Sequence, residues 1–137
     1  MAEDPFPAAT PLERVLEFIR VLEQGGGAAA IRPFLSERFV LTEAPHLLAP
    51  EGSRRTLAAV LAGADQSRDV VKDQQFIVRR TTCEGCRVVV EADWSATVLM
   101  DLRYWDNGET IRARTSSVFE VSDGVIVSQD SYDCYFR

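Results

Sequence analysis

Near its C-terminus the chain reads Asp123-Gly-Val-Ile-Val-Ser-Gln-Asp130-Ser-Tyr132-Asp133-Cys-Tyr. Two aspartates stand three positions apart. That spacing on a strand sends the two side chains to opposite faces, so one carboxyl meets the core and the other the solvent. A carboxyl held among apolar groups loses the hydration that favours its anion. Its pKa then rises toward neutrality, where it works as a general acid or base. A tyrosine two residues away on the same face supplies a hydroxyl donor for a developing oxyanion. Which aspartate faces inward therefore decides which one is a candidate for proton chemistry.

Strand parity gives an expectation. From Cys86 the chain alternates, with Val88, Val90, Ala92, Trp94, Ala96, Val98, Met100 and Leu102 on one side and Arg87, Glu91, Asp93, Ser95, Thr97 and Asp101 on the other. The apolar set marks the core face. Asn107-Gly108 and Asp123-Gly124 have the chemistry of two-residue hairpin turns. Turns at those positions place Ile111, Ala113, Thr115, Ser117, Phe119 and Val121 inward, and oppose Ser117 to Asp130 and Thr115 to Tyr132. Asp130 then projects among Ser117, Tyr132, Trp94, Val98 and Met100. Asp133 joins an outer row with Arg114 and Asp101, a cross-strand charge pairing. A bulge in the last strand exchanges the two aspartates. Asp130 and Tyr132 are accordingly the expected catalytic pair, against the alternative that Ser117 and Tyr132 satisfy Asp130 as a structural polar cluster.

Glu43 shares the parity of Phe39 and Leu41 and is expected at a pocket rim, with Trp94, Val98, Met100, Thr115 and Ser117 as pocket lining. His46, the single histidine, follows Pro45 in a loop and reads as a surface residue that could also shuttle protons near neutral pH. Cys83 and Cys86 form one C-x-x-C with too few further ligands for a structural zinc site, so no metal and no cofactor are expected. Phe76 and Val78 reach the core face if the Cys83–Cys86 connection is a three-residue loop with Gly85 left-handed.

The elements that must position these residues are legible in outline. Residues 1–10 read as a flexible tail and 11–137 as one domain. Thr10, Pro11 and Glu13 make a capping box for a helix carrying Leu12, Val15, Leu16, Ile19 and Leu22, stopped by the glycines after Gln24. A short second helix covers Ala28 to about Leu35, a strand follows through Glu43, and a third helix runs from about Glu51. Four long strands follow from Asp73 onward. Helices first and a meander afterwards predict an α+β fold, with the helices packed on the concave face of a strongly curved, mainly antiparallel, cone-like sheet.

The 137 residues carry a net charge of −6 with a single lysine, Lys72, which leaves no basic stripe for a nucleic acid. The N-terminus lacks the charge and apolar run of a secretory signal, and no apolar stretch is long enough to span a bilayer. A cytoplasmic protein with no nucleic-acid and no membrane partner is expected.

The order of elements, the strand ending Thr42-Glu43-Ala44-Pro45-His46 and the closing Phe119-Glu-Val-Ser-Asp-Gly-Val-Ile126 with Tyr132-Asp133 resemble the SnoaL-like and nuclear transport factor 2-like superfamily. The resemblance covers about Pro11 to Phe136. It implies a small-molecule pocket between helices and concave sheet, a last-strand aspartate as catalytic residue, and a homodimer. The implied function is that of a cofactor-free isomerase, cyclase or hydrolase acting on a small apolar molecule. The alternative is a non-catalytic ligand-binding or dimerisation domain. Compared with limonene-epoxide hydrolases, the usual last-strand aspartate falls on Ser131, and Glu91 stands where an arginine is expected before Asp93.

Overall fold

A computed structural model describes residues 9–137. The expected tail therefore lies almost wholly outside the described residues. Helix α1 (Pro11–Gln24) starts where the capping residues require: Thr10 is extended, and its Oγ1 accepts the Glu13 amide at 3.1 Å. The Glu13 carboxylate accepts from the Thr10 hydroxyl at 3.0 Å, closing the pair through side chains. Gly25 ends the helix with φ 69°, and its amide bonds to the Leu22 carbonyl. Helix α2 (Ala28–Ile31) passes into a 3-10 turn at Arg32–Phe34, as Pro33 permits.

Strand β1 (Leu35–Glu43) is followed by β2 (Ser53–Thr56), α3 (Leu57–Ser67), β3 (Val71–Glu84), β4 (Arg87–Val98), β5 (Thr110–Ser122) and β6 (Val125–Phe136). One sheet has the order β2-β1-β6-β5-β4-β3. Only β1 and β6 run parallel; every other neighbour pair is antiparallel. Among the described residues no pairing joins β2 to β3, and the sheet they form is open at both edges. Helix α1 packs across β3, β4 and β5, and α3 across β1 and β2. This is the expected α+β arrangement, with the helices on one face of a mainly antiparallel sheet.

The core lies between the helices and that face. Phe39, Phe119, Ile126, Val88, Val90 and Val15 are fully buried, and Phe18 meets Phe119 edge-on at 6.3 Å. Burying each of these side chains contributes on the order of 2 kcal/mol. A second cluster of Ala96, Val98, Trp105 and Ile111 fills the far end of the sheet.

Four local expectations are corrected. Residues 53–56 extend as an edge strand against β1, so the third helix begins only at Leu57. The β4–β5 connection is not a two-residue turn but an excursion over residues 99–109, in which Leu102 bridges Trp105 and the Gly108 amide bonds to the Val98 carbonyl. Val98 therefore does not face Ser117. The slip is an even number of residues, so the parity of β5 survives and Ile111, Ala113, Phe119 and Val121 are buried as expected. The β3–β4 turn consists of two residues, Gly85 and Cys86, with Gly85 at φ 59°. A register shift at Arg79, rather than a longer loop, puts Phe76 on the helix side.

The fourth correction is the decisive one. Val121 pairs with Ile126, but Glu120 pairs with Ser128, which leaves Val127 as a bulge residue in β6. Every side chain beyond it changes face. Ser117 opposes Ser131, Thr115 opposes Asp133, and Val118 opposes Asp130. Asp133 thus turns inward, whereas Asp130 and Tyr132 are exposed on the outer face. The expected Asp101-Arg114-Asp133 row does not form. Asp93 instead takes both Arg114 and Arg79 at 3.0 Å, and Asp101 accepts the Asn107 amide.

Candidate functional site

The parallel contact of β1 with β6 brings Glu43 beside Ser131, and the bulge at Val127 turns Ser131 and Asp133 toward the same side. The result is a cavity of about 320 Å³ between the sheet and α1. Its wall is built from Leu41 and Glu43 of β1, Gln129, Ser131, Asp133 and Tyr135 of β6, and Ala113, Thr115 and Ser117 of β5. Trp94 of β4, Gln74 and Phe76 of β3 and Leu22 of α1 close it. One end is apolar, and the other gathers hydroxyls and carboxyls.

Of the residues expected to line a pocket, Glu43, Trp94, Thr115 and Ser117 do so. Val98 does not: it is fully buried in the second core cluster. Met100 stands 46% exposed just past the end of β4, because that strand stops at Val98. Asp130 and Tyr132 are corrected to the outer face by the bulge. Tyr132 instead edges a wider depression of about 770 Å³ with Arg79, Arg80, Glu91 and Arg114. Its one acid, Glu91, is half-exposed and held below its ordinary pKa by Arg80, and Asp93 on the same sheet face is held down likewise by Arg79 and Arg114. Exposed pairs of this kind add little to stability and leave no free base.

Inside, the electrostatics run the other way. Burial raises the Asp133 pKa above the usual carboxylate value; the neighbouring charge of Glu43 adds to this, while His46 and the Ser131 hydroxyl oppose it. Tyr135 is also pushed up, by burial and then by the charges of Asp133 and Glu43, so it stays protonated and can donate. Ser117 and Ser131 hydrogen-bond to each other at 3.1 Å across β5 and β6. The Trp94 indole donates to Gln74 at 3.1 Å, and its ring meets Tyr135 edge-on at 6.3 Å.

His46 is not a surface residue. Its side chain is only 5% exposed, and Nε2 lies 2.8 Å from a Glu43 oxygen. The second Glu43 oxygen accepts the Ser53 hydroxyl at 2.9 Å, with Arg55 at 3.6 Å. The loop fixes the histidine: His46 and Ala49 exchange backbone hydrogen bonds, and the Leu48 amide donates to Nδ1 at 3.2 Å. With Nδ1 accepting, Nε2 is the ring nitrogen that donates to the Glu43 carboxylate. Gly52 closes the loop at φ 74°, where a Cβ would come within 2.6 Å of the Glu43 carbonyl oxygen.

One ligand atom each from Glu43, His46 and Asp133 lie within 4.8 Å of one another, a spacing compatible with a metal ion. The histidine tautomer argues against one. Coordination through Nε2 would move the proton to Nδ1, directly against the Leu48 N–H, whereas metal-bound histidines normally give that second proton to an acceptor. The cluster is better suited to exchanging a proton at Asp133 beside the Glu43 carboxyl.

From the sequence alone Asp133 reaches the inside only through a bulge and His46 reads as a surface residue able to shuttle protons, while Ser131 and Tyr135 are not marked as lining at all. The Val125-Ile-Val127 run is apolar on both parities, so nothing in it marks the residue at which the alternation breaks.

A sequence search of curated proteins finds no match. Among solved structures, IdmH, a candidate polyketide cyclase from Streptomyces antibioticus, superposes with a TM-score of 0.75 at 15% identity, covering 91% of this chain and 92% of that one. A candidate polyketide cyclase from Acidithiobacillus ferrooxidans gives 0.72 at 18%, covering 91% and 88%. An LEH-like epoxide hydrolase of M. tuberculosis gives 0.70 at 17%, covering 90% and 81%. At these identities the likeness establishes the fold. The family model for the SnoaL-like domain matches residues 15–129 and ends four residues before Asp133, so it reports the scaffold rather than the carboxyl. With that match spanning most of the chain and the sheet order and helix placement in accord, the protein belongs to the SnoaL-like family.

Proposed function

We propose that the protein is an enzyme that transfers a proton on a small, largely apolar molecule bound in the 320 Å³ cavity, with Asp133 as the general acid or base and no cofactor required. The single observation that carries this reading is an inward carboxyl of raised pKa, facing a cavity whose wall has no cationic side chain to hold it ionised. Ionised Asp133 accepts a proton from an acidic C–H or O–H of the substrate. Tyr135, which remains protonated, donates a hydrogen bond to the oxygen on which negative charge accumulates. Return of the proton to another carbon gives isomerisation; attack of the carbanion on a carbonyl of the same molecule, whose oxygen then takes the proton from Asp133, gives cyclisation; and where Asp133 instead deprotonates a water that attacks the substrate, delivery of that proton to the leaving oxygen gives hydrolysis. Glu43, fixed in place by His46, Ser53 and Arg55, stands beside Asp133 at the same end of the cavity.

Base catalysis is measurable without knowing the substrate. Small cyclic and aryl ketones in D₂O should exchange their α-protons faster with the protein than without it, read by proton NMR. Asp133→Asn should slow the enzymatic part by about a hundredfold or more, while Asp130→Asn should leave it unchanged. Equal exchange in wild type and Asp133→Asn would remove Asp133 from the mechanism and favour a non-catalytic ligand-binding domain.

A homodimer formed through the outer sheet face accompanies this reading. Ile77, Tyr132 and Phe136 are exposed on that face at 62%, 53% and 48%, among the arginines and acids of β3–β5.

A further inference from the structure

The charge inside the cavity constrains what it binds. Two carboxyls, Glu43 and Asp133, line it, and among the described residues of its wall no arginine, lysine or histidine does. Arg55 reaches the Glu43 carboxylate at 3.6 Å without lining the cavity, and its side chain is 46% exposed. His46 is not part of this wall: it sits behind Glu43, with Nδ1 accepting the Leu48 amide at 3.2 Å and Nε2 turned to the Glu43 carboxylate at 2.8 Å. The rings of Phe76, Trp94 and Tyr135 present further electron-rich surface to the same space. Tyr135 resists ionisation through burial first, and the two carboxyls add to that in the same direction. The whole chain, at −6, reinforces the sign at long range.

We infer that the ligand carries a positively charged nitrogen, an ammonium or quaternary amine on an otherwise apolar body, placed against Trp94 and Tyr135 and neutralising the carboxyl end of the cavity. A cation over an aromatic face beside a buried carboxylate gains both from the ring quadrupole and from an anion that lacks another partner. An anionic substrate, such as a carboxylate or phosphate ester, meets two like charges and no donor of opposite sign. This inference names the substrate class of the proton-transfer reading above and rests on that reading for the location of the site.

Three probes of one shape separate the charges: choline, the neutral 3,3-dimethylbutan-1-ol and the anionic 3,3-dimethylbutanoate. Each is titrated into the whole protein at neutral pH and low salt and followed by amide chemical shifts. Choline should bind at least about tenfold more tightly than the alcohol, and the anion most weakly. Asp133→Asn should bring choline and alcohol to within about threefold of each other without weakening the alcohol, and Glu43→Gln should shrink the gap in the same direction. An alcohol that binds as well as choline overturns this inference while leaving Asp133-dependent deuterium exchange, and so the reading it rests on, intact. A preference that survives in both variants, tighter binding of the anion, or no binding of any probe overturns it as well.

Discussion

At the scale of single residues, one carboxyl is set apart from its chemical equals by environment alone. Asp130 and Asp133 lie on the same strand, yet one stands in solvent and the other beside Glu43, Ser131 and Tyr135. A carboxyl with a raised folded pKa binds its proton more tightly in the folded than in the unfolded state. Stability therefore falls as pH rises from the unfolded toward the folded pKa, and the cost persists at neutral pH. Asp133→Asn removes that cost. Its melting temperature should exceed that of wild type at pH 7, and the difference should shrink as pH falls below the ordinary carboxylate range. Thermal scans across pH check this, and a variant less stable at pH 7 than at pH 4 relative to wild type would contradict it. The expected gain in stability with loss of turnover is the trade-off of a site kept for chemistry.

At the scale of elements, the bulge and the loop after β1 do the positioning. Val127 rotates the rest of β6, and Gly52 lets the 44–52 loop fold back so that His46 reaches Glu43. Gly52→Ala places a methyl against the Glu43 carbonyl in a left-handed backbone, and should cost about 1–3 kcal/mol in urea unfolding while reducing exchange activity through a displaced Glu43. A variant with wild-type stability would show that the loop yields freely. Much of this scale was legible beforehand. The capping residues located α1, alternation from Val88 to Val98 found the core face of β4, and Asp123-Gly124 found the last hairpin. What was not legible depends on pairing across the sheet. A bulge adds a residue without changing composition, and Val125-Ile-Val reads equally well on either parity. The strand at Ser53–Thr56 has arginines at its centre and exists because β1 offers it an edge. His46 looks like a surface loop residue until the 44–52 loop brings it back to Glu43.

At the scale of the whole molecule, β2 and β3 remain as sheet edges, and the outer face carries exposed Ile77, Tyr132 and Phe136 between ion pairs. Self-association through that face should give a dimer by sedimentation, and Ile77→Asp should shift it toward monomer at the same loading concentration. A wild-type protein that sediments as monomer throughout the micromolar range would sink the dimer. Phe39, beneath the helices and 1% exposed, should cost about 3–5 kcal/mol when cut to alanine, read by the same urea transitions.

The claim on which the rest depends is that the inward carboxyl belongs to Asp133. Carbon-detected NMR of the aspartate side chains, assigned by comparison with Asp133→Asn, follows its titration directly. The account predicts a midpoint for Asp133 above the ordinary 3.8 of an aspartate. A midpoint at or below that value would contradict it.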